Sequence, residues 1–413
     1  MTSHLSKHSL CRFAPMSFQK YKPRVLHLIT RIAIGGAQDN TLLTVENHNR
    51  NLYTVHLAAN PNDSWLNRAQ ATADIFHPLP NLIRPINPIK DFQALLNIIN
   101  LLRREQFDVV HTHSSKAGIL GRIAARIAGV PVVVHTIHGF PFHDFMSPLK
   151  RHFYITLERS LRTFADFYIT VCELNRTQAI ELNLVHPENS QTVYSGISFA
   201  KLDRPSDPKT TRQQLNIPDG WQTIVMVGRL DQQKAPHYLI DAFSKVQQQC
   251  PKTLLLLVGD GELQPQLEHQ VQQLRLTDQV RFLGSREDVP DILKASDIFA
   301  LSSLWEGLGR AMTEAMLVGL PVVVPEIYGI PEIVHHNQTG LLYPAKDVQQ
   351  LASHLVFLLQ HPQDRKRLGQ NAKQLTRECF DALLMVKQIE EIYDKLLSQK
   401  GLSVNTLQES SLN

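Results

Sequence analysis

Glu306-Gly307-Leu308-Gly309-Arg310-Ala311-Met312-Thr313-Glu314 places two carboxylates on either side of a glycine-containing turn. The apolar run Ile298-Phe299-Ala300-Leu301 and the pair Ser302-Ser303 precede it. The stretch therefore reads as strand, loop and helix start, with Glu306 in the loop and Glu314 in the first helical turns. Free amides of Leu308, Gly309 and Arg310 at a helix start attract a phosphate or sugar oxygen. A carboxylate roughly 7 Å further along the helix accepts both hydroxyls of a ribose, which suits Glu314. Glu306, left in the loop, is placed to hold the hydroxyls of a sugar.

A second cluster supplies positive charge. Thr223-Ile224-Val225-Met226-Val227-Gly228 reads as a buried strand that ends at Arg229, with Lys234 in the loop beyond it. Cations at the C-terminal end of a parallel strand lie where open α/β sheets bind ligands. A departing pyrophosphate develops negative charge, and the chain has no Asp-X-Asp signature to hold a metal against it. Arg229 and Lys234 are the expected substitute, so no metal and no cofactor are expected.

These stretches occur in a fixed order with Val258-Gly259-Asp260-Gly261, Phe282-Leu283-Gly284, Ala315-Met316, Gly319-Leu320-Pro321-Val322-Val323, Pro331-Glu332-Ile333-Val334 and Thr339-Gly340-Leu341-Leu342. The chain thereby resembles the retaining glycosyltransferases of family 4, the group 1 glycosyltransferases, and among them the bacterial exopolysaccharide and lipopolysaccharide members. The resemblance runs over about residues 24–397. It implies α/β architecture of the GT-B type, two Rossmann-like domains facing each other across a cleft. It also implies transfer of a hexose from a UDP- or GDP-sugar to a glycan or polyprenyl-linked acceptor with retained configuration. Gly284 then joins Leu308, Gly309, Arg310 and Glu314 on the donor side. Tyr328 stands where the family usually has a glycine, which narrows the loop beside the donor, and Arg310 replaces a residue that is apolar in many members.

The N-terminal half alternates strands and helices in the same way. Arg24-Val25-Leu26-His27-Leu28-Ile29 reads as the first strand, followed by Gly35-Gly36 and a helix to about residue 47. A Gly-Gly pair alone is a tight turn; the resemblance places Gly35 and Gly36 beside the donor phosphate. Two further strands end in histidines, at His111-Thr112-His113 and His135-Thr136-Ile137-His138. The resemblance puts the His138 imidazole beside the donor sugar, in the catalytic group with Arg229, Lys234 and Glu306. It makes His113 and Lys116 acceptor-side candidates. His111 and His135 are expected to face the other way as structural histidines. A zinc site built on His111-X-His113 has ligand-like spacing, but the metal-free phosphate site disfavours it.

Residues 150–164 are amphipathic, with Phe153, Leu157, Leu161 and Phe164 as the expected core stripe. Lys150, Arg151, Arg159 and Arg162 form a basic face that is either merely solvated or a contact for anionic lipid headgroups.

At 413 residues, 43% hydrophobic and 19% charged, the chain is long enough for two well-cored domains. The four cysteines form no Cys-X-X-Cys pair, which argues against a zinc knuckle or a disulfide framework and for a reducing compartment. No apolar run is long enough to span a bilayer or to act as a secretory core, so a cytoplasmic enzyme is expected, at most peripheral on the membrane. Six cations and no acidic residue precede Asp39; the rest is slightly acidic, so the positive net charge does not indicate nucleic-acid binding. The expected organisation is a disordered basic tail at 1–20, an N-terminal acceptor-binding domain at 21–200 and a linker at 201–210. A nucleotide-sugar domain at 211–380, a final helix at 381–399 crossing back to the first domain, and a loose tail at 400–413 follow. The alternatives are a nucleotide-sugar 2-epimerase of the same fold and a non-catalytic nucleotide-sugar binder; the Glu306 to Glu314 stretch with Arg229 and Lys234 disfavours both.

Overall fold

The computed structural model describes residues 21–402. The basic segment 1–20, with Cys11 and Met16, and residues 403–413 of the expected loose tail lie outside the described residues.

Two parallel sheets organise the chain. The first holds β1 (Arg24–Leu28), β2 (Thr54–Ala59), β3 (Ile75–Pro78), β4 (Val109–His113), β5 (Val132–Ile137), β6 (Phe167–Thr170) and β7 (Ser190–Thr192), in the order β3-β2-β1-β4-β5-β6-β7. The second holds β8 (Gln222–Val227), β9 (Thr253–Val258), β10 (Val280–Gly284), β11 (Ile298–Ala300), β12 (Val322–Pro325) and β13 (Leu341–Tyr343), in the order β10-β9-β8-β11-β12-β13. The inner strands are buried because helices cover both faces; every residue of Thr253-Leu254-Leu255-Leu256-Leu257-Val258 is buried. This is the pair of Rossmann-like domains that the family resemblance implies.

Strand order fixes where a ligand can enter. In the first sheet the chain reverses direction between β1 and β4, and in the second between β8 and β11. A crevice opens outside the carboxyl ends of the strands at such a reversal. The loops after β1 and β4 carry Gly35, Gly36 and Ser114; those after β8 and β11 carry Arg229, Lys234 and Glu306.

Helix Ala382–Gln399 lays Met385, Ile389, Ile392 and Leu396 into the core of the first sheet, among Val25, Val55 and Val132. The polar stretch expected as a linker is largely helical, with helices Phe199–Asp203 and Pro208–Gln214 on either side of residues 204–207. Asp207 caps the second of these through the backbone amides of Lys209 and Thr210.

The core stripe expected at 150–164 does not form. The helix spans Pro148–Ser160 and turns Ile155 inward, while Phe153 is 58% and Leu149 82% exposed. The cause is electrostatic: Arg122, fully buried below, pairs with Glu158 at 2.6 Å, and satisfying that cation sets the rotation of the helix. Leu161 is buried from the turn beyond the helix rather than from the helix face.

Candidate active site

The C-terminal half of the site is built on the loops after β8 and β11. Lys234 donates to Glu306 Oε1, and the Ser303 hydroxyl donates to the same oxygen at 2.6 Å. Both donors fall on Oε1; Oε2 has no partner among the described residues. The loop is held by Gln233, whose carbonyl accepts from Leu304 N–H at 2.8 Å and whose amide donates to the Trp305 carbonyl at 3.0 Å. Arg229 pairs with Asp231 at 2.8 Å and stays half exposed at the mouth. Gly309, at φ +82°, is the left-handed residue that turns the loop into helix Arg310–Val318. The N–H groups of Leu308, Gly309, Arg310 and Ala311 have no acceptor among the described residues, so the helix start presents open donors. Glu314 lies one turn in; burial pushes its carboxyl above the ordinary range, with Arg310 opposing. Gly284 ends β10, and its carbonyl accepts from Gly259 N–H at 2.8 Å, which packs the loops after β9 and β10 together.

The two halves touch. A Cβ on Gly307 would sit 2.4 Å from the His138 carbonyl oxygen, so only glycine lets the Glu306 loop reach the end of β5. The Arg310 side chain crosses to the first domain, pairing with Asp39 and donating to Ser195 Oγ at 3.1 Å and to the Gly196 carbonyl. Trp305 stacks on His143 with ring centroids 3.9 Å apart. Tyr328, at φ +44°, reaches Asp144 at 3.0 Å, and its phenol is pushed up to about 12, chiefly by burial and then by Asp144. Glu332 accepts from the amides of Glu173 and Leu174, capping helix Glu173–Glu181 of the other domain.

Histidines crowd the first half of the site. His138 is part-exposed beside Gly307 and Arg310, and its imidazole is depressed to about 3 by burial and by the Arg310 charge. His113, expected to meet an acceptor, is completely buried; it bonds His138 on one side at 3.1 Å and His27 on the other at 3.0 Å. Its contact with any acceptor is therefore indirect. Lys116 is tied to Asp91 at 2.6 Å on the neighbouring helix start, with 15% of its side chain exposed. His111 does not face away from His113: residues two apart in a strand share a face, and their ring centroids are 4.2 Å apart. His135 lies on the opposite face, bonded to Thr112 Oγ1 at 2.8 Å. His27, His111 and His113 hold nitrogens within 4.8 Å of one another. Those of His111 are engaged by Tyr393 and Thr136.

Of the four basic residues of helix Pro148–Ser160 and its end, Arg159 bonds the Leu182 carbonyl, Arg162 bonds Asn183, and Arg151 lies over the Phe142 ring. Lys150 is exposed with no partner among the described residues. Asp39, Ser195, Glu332 and Glu390 carry no local signal in the sequence, since each acts on a residue far away in the chain. Only Glu332 sits in a family stretch, and nothing in that stretch shows what it caps.

Known proteins resolve what this arrangement belongs to. A family model described as "Glycosyl transferases group 1" matches residues 207–375, and one described as "Glycosyl transferase 4-like domain" matches 35–196. An Escherichia coli protein named UDP-Gal:alpha-D-GlcNAc-diphosphoundecaprenol alpha-1,3-galactosyltransferase is 36% identical over 324 residues, covering 76% of this chain and 82% of that one. The chain belongs to the group 1 glycosyltransferases. This glycosyltransferase also resembles the Staphylococcus aureus capsular polysaccharide biosynthesis glycosyltransferase CapM, at 24% identity over 79% of this chain and 86% of the relative. Among solved structures, Anabaena HepE in complex with UDP and glucose superposes with a TM-score of 0.79 at 25% identity, over 90% of this chain and all of that one. The fold of this glycosyltransferase is thus GT-B. No helix among the described residues is long and apolar enough to cross a membrane.

Proposed function

We propose that the chain transfers a hexose from a UDP-sugar, with retained anomeric configuration and without a metal, to a polyprenyl-diphosphate-linked glycan in cell-surface polysaccharide biosynthesis. A GDP-sugar is the second donor reading. The observation that carries the proposal is the juxtaposition of Glu306, Lys234 and Arg229 at the reversal of the second sheet with the open amides of 308–311. UDP in the HepE complex and the lipid-diphosphate acceptor named for the Escherichia coli relative support the choice of donor and acceptor.

In this reading Arg229, Lys234 and the amides at the start of helix Arg310–Val318 receive the diphosphate. Glu314 accepts the ribose hydroxyls, and Glu306 Oε2, without a partner among the described residues, accepts hydroxyls of the sugar. The bond between the anomeric carbon and the phosphate oxygen breaks as the acceptor oxygen attacks the same face, and the departing phosphate takes the acceptor's proton. His138 borders the sugar from the other domain. The enzyme works from the cytoplasmic side of the plasma membrane, docked through helix Pro148–Ser160, whose exposed Leu149 and Phe153 and adjoining cations suit an anionic interface.

The test is incubation with UDP-glucose, UDP-galactose, UDP-N-acetylglucosamine and their GDP counterparts, a short polyprenyl-diphosphate N-acetylglucosamine acceptor and EDTA, with the product linkage read by proton NMR. An α-linked product from a UDP donor in chelator is expected. Inverted product, or activity that needs a divalent ion, would overturn the corresponding part; free sugar or an isomer alone would favour the epimerase alternative.

A further inference from the structure

A line of hydrogen bonds runs from the C-terminal helix through the first sheet to the cleft. Glu390 Oε1 meets His48 Nδ1 at 2.8 Å, and His48 Nε2 meets His27 Nε2 at 2.9 Å. His27 Nδ1 meets His113 Nε2 at 3.0 Å, and His113 Nδ1 meets His138 Nε2 at 3.1 Å. His27, His48 and His113 are all buried, each at 4% exposure or less.

Proton counting gives this line a direction. A neutral imidazole carries one N–H and one bare nitrogen. The line has a bond for each of its imidazoles, and each bond needs one proton. Burial lowers the pKa of all four rings, so they are neutral near neutral pH. Glu390 Oε1 also accepts from the Asn49 amide at 2.8 Å, so it is an acceptor and His48 must donate from Nδ1. His48 Nε2 is then bare and takes the Nε2 proton of His27. His27 Nδ1 is bare in turn and takes the Nε2 proton of His113, and His113 Nδ1 takes the Nε2 proton of His138. The proton of His138 is thereby committed inward. Its Nδ1 has no partner among the described residues and is not among the buried unpaired atoms.

We infer that Glu390, through His48, His27 and His113, clamps the tautomer of His138 so that a bare Nδ1 faces the cleft and accepts a hydrogen bond from a hydroxyl of the bound sugar. The second half rests on the reading above that the sugar lies beside His138. Glu390 is a positioning residue: it touches no substrate, yet it decides whether the ring at the reaction centre is a donor or an acceptor. A ring that presented N–H instead could not accept that hydroxyl's proton and would call for an acceptor oxygen in its place.

The clamp is read without substrate. Long-range proton–nitrogen NMR on protein labelled in histidine, with His138 assigned from H138Q, should show its Nε2 protonated and Nδ1 bare in the wild type and in E390Q, whose carbonyl still accepts. In E390M, where the acceptor is gone, His138 should become a mixture of tautomers. A wild-type His138 protonated on Nδ1, or one unchanged in E390M, overturns the clamp whatever the enzyme transfers. One equivalent of zinc bound to the purified protein and lost in H27Q would also overturn it, because His27 and His113 cannot both ligate through the nitrogens that bond each other. The sugar contact is read from kinetics: E390M should lower kcat/KM about tenfold, E390Q by less than about threefold, and E390M in an H138A background by nothing further. Additive losses in the double variant would overturn the route through His138. If E390M fails to fold, H48F, which interrupts the same line, takes its place in both readouts.

Discussion

Asp39 and Arg310 form an ion pair between the first helix of one domain and the start of the helix that follows Glu306 in the other. Asp39 also takes Arg68, and a Cβ on Gly36 would lie 3.2 Å from Arg310 Cδ. The start of helix Gly36–Asn47 is thus fastened to the second domain by an arginine whose side chain is only 10% exposed.

Burial alone would raise the Asp39 carboxyl, but Arg310 and Arg68 outweigh it and hold it below the ordinary range. A carboxyl depressed in the folded state adds stability above its unfolded pKa of about 4, lost as pH falls through the folded value. D39N should cost about 2–3 kcal/mol at neutral pH, seen as a lower Tm, and the gap to wild type should close in acid. A gap independent of pH would mean that charge is not what Asp39 contributes.

Arg229 and Lys234 should each matter to the leaving group. Replacing either by alanine should lower kcat/KM by two or more orders of magnitude, about 3 kcal/mol of transition-state stabilisation, while activity survives EDTA. Turnover abolished by chelator and restored by a divalent ion would place the charge on a metal instead.

The two carboxylates should separate. E314Q should weaken binding of free UDP, measured by calorimetry, whereas E306Q should spare it and damage transfer. Burial raises the Glu314 carboxyl, so protonation begins at higher pH than for an ordinary glutamate. UDP affinity should therefore rise with pH through that raised value, and E314Q should remove the rise. Identical affinities in all three proteins would refute the ribose assignment.

Helix Pro148–Ser160 should bring the enzyme to anionic vesicles but not to zwitterionic ones, with sedimentation weakening as salt rises. Each cation near such a surface contributes about 1 kcal/mol. Changing Lys150, Arg151, Arg159 and Arg162 to glutamine should reduce binding. L149S with F153S should reduce it without touching the bonds that Arg159 and Arg162 make to Leu182 and Asn183. Wild-type sedimentation of both folded variants would show a merely solvated face.

The strands around Thr223–Gly228 and Val132–Ile137, the turn at Gly309 and the neighbourhood of Glu306 were legible in the chain, because local pattern controls them: apolar runs make buried parallel strands, and glycine before a helix makes an open N-terminus. The stripe Phe153-Leu157-Leu161-Phe164 misled, since the buried Arg122 set the helix's rotation through Glu158. Placing His111 opposite His113 ignored the two-residue period of a strand, an error the sequence could have prevented.

By itself, then, the sequence determined two doubly wound domains and the local elements that carry Arg229, Lys234, Glu306 and the amides of 308–311, because each element depends on neighbours a few residues away. Only the tertiary structure decided that Arg310 reaches Asp39, that Glu332 caps a helix of the other domain, and that Glu390 stands at the end of a line of imidazoles leading to His138. The partners in each of these contacts lie more than a hundred residues apart, and Glu390 lies 342 residues from His48. Such pairs leave no periodic trace, since a buried histidine or arginine is satisfied by whatever acceptor the packing of distant elements brings to it.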